Sequence, residues 1–222
     1  MYTVGMKSPN DKDLRTMFAP VRGARRGTTN VALNIQWPGD DPVSEMDFYA
    51  EAYHRAGRKL FDAIPKNDDY WFFSFDACPI IFLYWHALEL HLKDAVVKGN
   101  SVMAFREKPA AFKGNVFSSH DLMPLLEAVE KIVCECGWKG KGDTGSLLGA
   151  RAVIEEFTAV FPRVAGLYPV GTKGEASIDT GLTFDLRSVV DRLDPLLRYL
   201  SDVGSALEAE LDDEQDFLSH ET

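Results

Sequence analysis

An all-α fold is what this sequence predicts: a bundle of about five helices behind an irregular, partly extended N-terminal segment. Three observations carry it. Apolar residues recur at helical spacing in five separate stretches between residues 44 and 211. The first 43 residues are broken by Pro9, Pro20, Pro38 and Pro42 and by scattered glycines. The stretch Cys78 to Gly99 is apolar on two faces, as a helix packed on both sides requires. The chain then divides into an arm (1–43), a bundle (44–211) and an acidic tail (212–222).

Within the arm, residues 30–37 alternate, with Val31, Leu33, Ile35 and Trp37 on one side, which predicts a strand. Just before it, Arg22, Arg25 and Arg26 fall within five residues. They are candidate phosphate contacts, against the plainer reading of a solvated loop.

The first helix is expected from Ser44 to Ile64, where Ser44 and Asp47 approximate a capping box. Tyr49, Ala52, Tyr53, Ala56, Leu60, Phe61 and Ile64 keep helical spacing, and Pro65 ends the run. His54, Arg55, Arg58 and Lys59 share another surface and read as a charged outer face. A polar turn then leads into Tyr70, Trp71, Phe72, Phe73 and Phe75, aromatics expected to serve core and interface together.

The central helix is expected from Cys78 to Gly99, with Pro79 in its tolerant first turn and Gly99-Asn100 as its stop. Ile81, Tyr84, Trp85, Leu88, Leu92, Ala95 and Val96 share a broad arc, and Leu83, Leu90 and Val97 a narrower one almost opposite. Between them runs a polar stripe of His86, Glu89 and Lys93. Glu89 stands one turn from both others, and a charge buried there must be paired. The three are expected to form a buried polar network, structural rather than catalytic.

A long connection (101–119) follows, then a helix with Asp121 as N-cap, Pro124 in its first turn, and Leu122, Leu125, Leu126, Val129, Ile132 and Val133 in one stripe. Trp138 to Ser146 is glycine-rich but lacks the order of a phosphate loop. Leu147 to Phe161 is the fourth helix, ended by Pro162. The fifth runs from about Thr183 to Leu211, with a kink or break expected at Asp194-Pro195.

The segments YWHALELHLK (Tyr84 to Lys93) and SSHDLMPLL (Ser118 to Leu126) resemble a pattern in HEPN-like bacterial proteins, small helical bundles of toxin–antitoxin, anti-phage and RNA-processing systems. The resemblance covers about 140 residues, from Phe48 to roughly Tyr199. It implies Glu89 and Lys93 as a buried polar pair, His120-Asp121-Leu122 as a helix entry, and a homodimer, with RNA or another protein of such a system as partner. Ribonucleases of this superfamily carry Arg, four to six residues, then His. No histidine here has an Arg at that distance, although Lys113 precedes His120 by six intervening residues. A degenerate, non-catalytic binding or oligomerisation module is therefore the expectation. The alternative is a metal-independent ribonuclease with a variant site at His120, Lys113 and Arg163.

Composition narrows the rest. A net charge of -10 repels nucleic acid and anionic membrane on average, though a local basic patch can override it. Cys78, Cys134 and Cys136 form no disulfide framework, which suits a reducing cytoplasm, and the C-x-C pair lacks further metal ligands. Neither metal nor other cofactor is expected. No secretory signal or membrane-length apolar run is seen, so the expected location is cytoplasmic.

Overall fold

The computed structural model describes residues 45–64, 70–138, 143–161, 173 and 184–220. Among these residues the protein is all-α, with five helices and no strand. They are α1 (Met46–Asp62), α2 (Tyr70–Phe105), α3 (Leu122–Glu135), α4 (Asp143–Val160) and α5 (Leu186–His220), with a 3-10 turn at Val116–Ser118. The expected strand at 30–37 and the rest of the 1–43 arm lie outside the described residues.

α2 is the hub. α1, α3 and α5 each pack on it, and α4 packs against α3 and α5. No residue from Ile80 to Asn100 is exposed, so the two-faced apolar pattern does mark a helix walled in by neighbours. Ile81, Leu88, Leu92, Ala95 and Val96 face the same core as Leu125, Val129 and Ile132 of α3 and Leu193, Leu197 and Leu200 of α5.

Both long helices exceed their expected bounds. α2 begins at Tyr70 rather than Cys78, so the aromatic run that follows the polar turn is part of this helix. α5 runs unbroken through Asp194-Pro195. Proline removes one backbone hydrogen bond, but Pro79 and Pro195 are both exposed, so the carbonyl one turn back can turn to water. Packing of the remaining faces outweighs the local penalty.

Gly99 does not stop α2. The stop comes later, where Glu107 takes a left-handed φ of 55°. There Glu107 N–H donates to Ala104 O at 3.1 Å and Lys108 N–H to Met103 O at 2.8 Å, a Schellman closure. Gly99 serves proximity instead. A Cβ there would lie 2.4 Å from Ile132 Cδ1 and 2.6 Å from Cγ2, so α2 and α3 touch only because the position is bare.

The acidic end of α5 is more than solvated tail. Arg106 at the end of α2 pairs with Glu210, and its Nε donates to Glu214 at 3.0 Å. Lys98 Nζ reaches Glu208 at 3.0 Å and Asp94 at 3.1 Å. Gly204 leaves room for that Asp94 carboxylate, whose Oδ2 would sit 2.6 Å from an added Cβ.

His91 and Asp94 titrate in opposite senses in the interior. Burial, with the like charges of His54 and Lys98, pulls His91 down from 6.5 to about 4. Burial also pushes Asp94 up from 3.8 to about 6, with Lys98 opposing. As pH falls from 6.5 toward 4, the unfolded chain takes up a His91 proton that the folded chain refuses, so stability drops. Across the window from 6 to 3.8 the folded chain takes up an Asp94 proton that the unfolded chain refuses, so stability rises.

Two outcomes follow. Gly99→Ala gains about 1 kcal/mol of helix propensity but overpacks Ile132, at about 1–3 kcal/mol. Its urea midpoint should fall, and a double-mutant cycle with Ile132→Val, which deletes Cδ1, should show favourable coupling. An unchanged midpoint would mean that the helices separate at no cost. For the opposing titrations, unfolding free energies are compared at about pH 4.5 and about pH 7. Relative to wild type, Asp94→Asn should lose more stability on acidification and His91→Gln less; parallel pH curves would refute the compensation.

Candidate functional site

Of the three buried carboxylates among the described residues, Glu89, Asp94 and Asp194, the first and last each hold a histidine. The first is Glu89, the residue singled out by the helical pattern. Its Oε1 accepts from Lys93 Nζ at 2.7 Å and from His120 Nδ1 at 2.8 Å. Lys93 also donates to the Phe117 carbonyl at 3.2 Å, tying the 3-10 turn to α2. Burial pushes the Glu89 carboxyl up, but hydrogen bonds from Lys93 and His120 outweigh it and hold the carboxyl below its ordinary range.

The carboxylate accepts only, so His120 must carry its proton on Nδ1. Asp121 beside it caps α3, accepting from Met123 N–H at 3.1 Å. His86 lies elsewhere: its ring meets Tyr53 edge-on at 4.4 Å and stacks with Phe82 at 5.8 Å. Lys113 is exposed in the connection. Arg163, Arg22, Arg25 and Arg26 lie outside the described residues. Of the proposed catalytic and network residues, the structure therefore brings together Glu89, Lys93 and His120.

The other histidine-holding carboxylate, Asp194 of α5, stands in the sequence only as part of the kink or break expected at Asp194-Pro195. It accepts from three side chains: His54 Nε2 at 2.8 Å, Arg58 Nη1 at 2.7 Å and Tyr84 OH at 2.7 Å. Desolvation opposes its charge, but the bonds from Tyr84, His54 and Arg58 keep its pKa below the ordinary value. Tyr84 is held far above the usual phenol range by burial and by the carboxylate it bonds. Gly57 permits this approach of α1, since a Cβ there would lie 3.0 Å from the Tyr84 ring.

Glu51, His54, Arg55, Arg58 and Lys59 stand at i, i+3, i+4, i+7 and i+8, one stripe of α1. With Asp194 and Arg198 of α5 they line an open cleft of about 530 Å³. His54 turns Nε2 to Asp194, while Nδ1 stands 3.9 Å from Glu51. Arg58 also donates Nε to Asp62 at 3.2 Å, and its two carboxylate partners raise its pKa further. Among the described residues, Arg55, Lys59 and Arg198 pair with no carboxylate. A signal was present: a tyrosine in a core arc needs a partner for its hydroxyl, and Asp194 and Arg198 share a face.

No group of His, Cys, Asp and Glu that could hold a metal ion occurs among the described residues. Cys78, Cys134 and Cys136 form no disulfide among the described residues, and burial pushes Cys78 and Cys136 up. No described helix is long and apolar enough to cross a membrane. Comparison with family models, characterised proteins and solved structures finds no match.

Loss of the Glu89 carboxylate and loss of its histidine partner should differ sharply in a stability assay. Glu89→Gln leaves the Lys93 ammonium, 6% exposed, without its counter-charge, and should cost about 3–5 kcal/mol. His120→Gln removes a side chain 38% exposed and should cost about 1 kcal/mol. Equal losses in denaturant unfolding would refute the view that the buried ion pair is the stronger constraint.

Proposed function

We propose that this chain is a non-catalytic helical binding module of the HEPN-like kind that its motifs resemble, acting in a bacterial stress or defence system. One observation supports the reading: the histidine best placed by sequence to be a catalyst is tied through Nδ1 into a structural strut. His120 Nδ1 is bonded to Glu89, whose other partner, Lys93, holds the Phe117 carbonyl. This group fastens the 106–121 connection to α2.

Assembly as a homodimer fits an apolar face on α1. Phe48 is 65% and Leu60 45% exposed, with exposed Ala52 and Ala56 between them on the same arc. The three unbridged cysteines suit a cytoplasmic setting. RNA or a second protein of the same system is the expected partner.

The competing reading is a metal-independent ribonuclease at His120 and Lys113. Purified protein incubated with total RNA in EDTA separates the two. We expect no cleavage by wild type, His120→Ala, Lys113→Ala or His54→Ala, from a protein that sediments as a dimer. Cleavage by wild type that is lost in one of these variants, with its circular dichroism unchanged, would establish the enzyme instead.

A further inference from the structure

We propose that the cleft between α1 and α5 binds closely spaced phosphate groups, the chemistry shared by a free diphosphate and a nucleic-acid strand. The proposal rests on the binding-module reading and names the ligand class of that module. Four permanent cations, Arg55, Arg58, Lys59 and Arg198, face the cleft beside His54. The facing carboxylates are Glu51 and Asp194, and Asp194 is engaged by three donors.

The chain has 34 acidic residues against 24 basic ones, so a cation on its surface has carboxylates in plenty to pair with. Arg106, Lys98, Lys108 and Arg151 each do so. At this cleft three cations stand together without a described carboxylate partner. Arg55 and Lys59, one turn apart, repel each other weakly, and Arg198 adds a third charge to that repulsion in the same cleft. A bound polyanion resolves it.

The cluster is also pre-arranged. Asp194 fixes the His54 ring and one arm of Arg58, while Asp62 holds Arg58 Nε. A guanidinium has five N–H groups in a fixed fork, so the Nη2 edge of Arg58 remains for a ligand. Guanidinium forks match phosphate oxygens, and a single carboxylate would neutralise only one of the three unpaired cations. The cleft volume, about 530 Å³, falls within the range of about 300–1,000 Å³ usual for small-ligand sites.

Calorimetric titration of the full chain with inorganic pyrophosphate, and separately with a single-stranded oligoribonucleotide, tests this at low and at moderate salt. At least one ligand should bind, more weakly as salt rises. Arg55→Glu combined with Arg198→Glu should weaken binding by more than about tenfold. Both residues are exposed and unpaired, so the fold is not at stake. Lys131→Glu on α3, also exposed, serves as the charge control and should bind as wild type. Pyrophosphate alone binding identifies a free diphosphate ligand, and the oligonucleotide alone identifies a strand. Binding of neither, an unaffected double variant, or an equal loss in Lys131→Glu overturns the proposal. Cleavage of RNA in EDTA would instead remove the non-catalytic reading and leave the site standing.

Discussion

The constraint on which this structure turns is the enclosure of α2. A helix walled by three others has no solvent face along its middle, so each polar group there must meet a partner or stay uncharged. Glu89 meets Lys93 and His120 and stays ionised. A buried ion pair rarely stabilises more than a well-packed apolar pair would. Its contribution here is better understood as register. Lys93 reaches the Phe117 carbonyl and His120 enters α3, so one carboxylate decides where the connection returns to the bundle.

On nearly the opposite side of α2, at roughly 100° per residue, Tyr84, His91, Asp94 and Lys98 lie along the contact with α5. Tyr84 finds Asp194, Lys98 finds Asp94 and Glu208, and His91 remains neutral with a buried Nε2 that has no partner. Close approach makes these pairings possible. Gly57 admits the Tyr84 ring, Gly204 the Asp94 carboxylate and Gly99 the Ile132 side chain. Small residues and polar pairs thus do complementary jobs: the first bring the helices together, and the second set their alignment.

How much of this was legible depends on whether the signal is local. The stripe from Leu122 to Val133, the Asp121 cap and the apolar arcs around Leu88 and Leu92 are periodic over short windows, and they lie where periodicity puts them. Glu89 and Lys93 were readable because both partners sit one turn apart. The third partner was not, since His120 is 31 residues away and only the fold decides that it, and not His86, reaches Glu89. Asp194 was hidden for the same reason: its donors lie 110 to 140 residues away, and beside a proline it signalled only a kink or break. Gly99 looked like a stop because nothing local reveals Ile132 across the interface.

The two histidine–carboxylate pairs invite the same chemical reading, and their surroundings separate them. Around His120 the cation bonded to the same carboxylate is Lys93, itself buried and committed to Glu89 and a backbone carbonyl, so among the described residues this group offers no spare cation to a ligand. Around His54 the buried carboxylate is satisfied from within, while Arg55, Lys59 and Arg198 project beside it without described carboxylate partners. The net charge of -10 does not cancel them. At physiological salt, interactions between exposed charges fade over about 8 Å, so an anion inside the cleft responds mainly to the cations lining it. Distant carboxylates still slow the approach of a polyanion. Among the described residues, the cleft thus sets a cluster of unpaired cations on a chain whose net charge is negative.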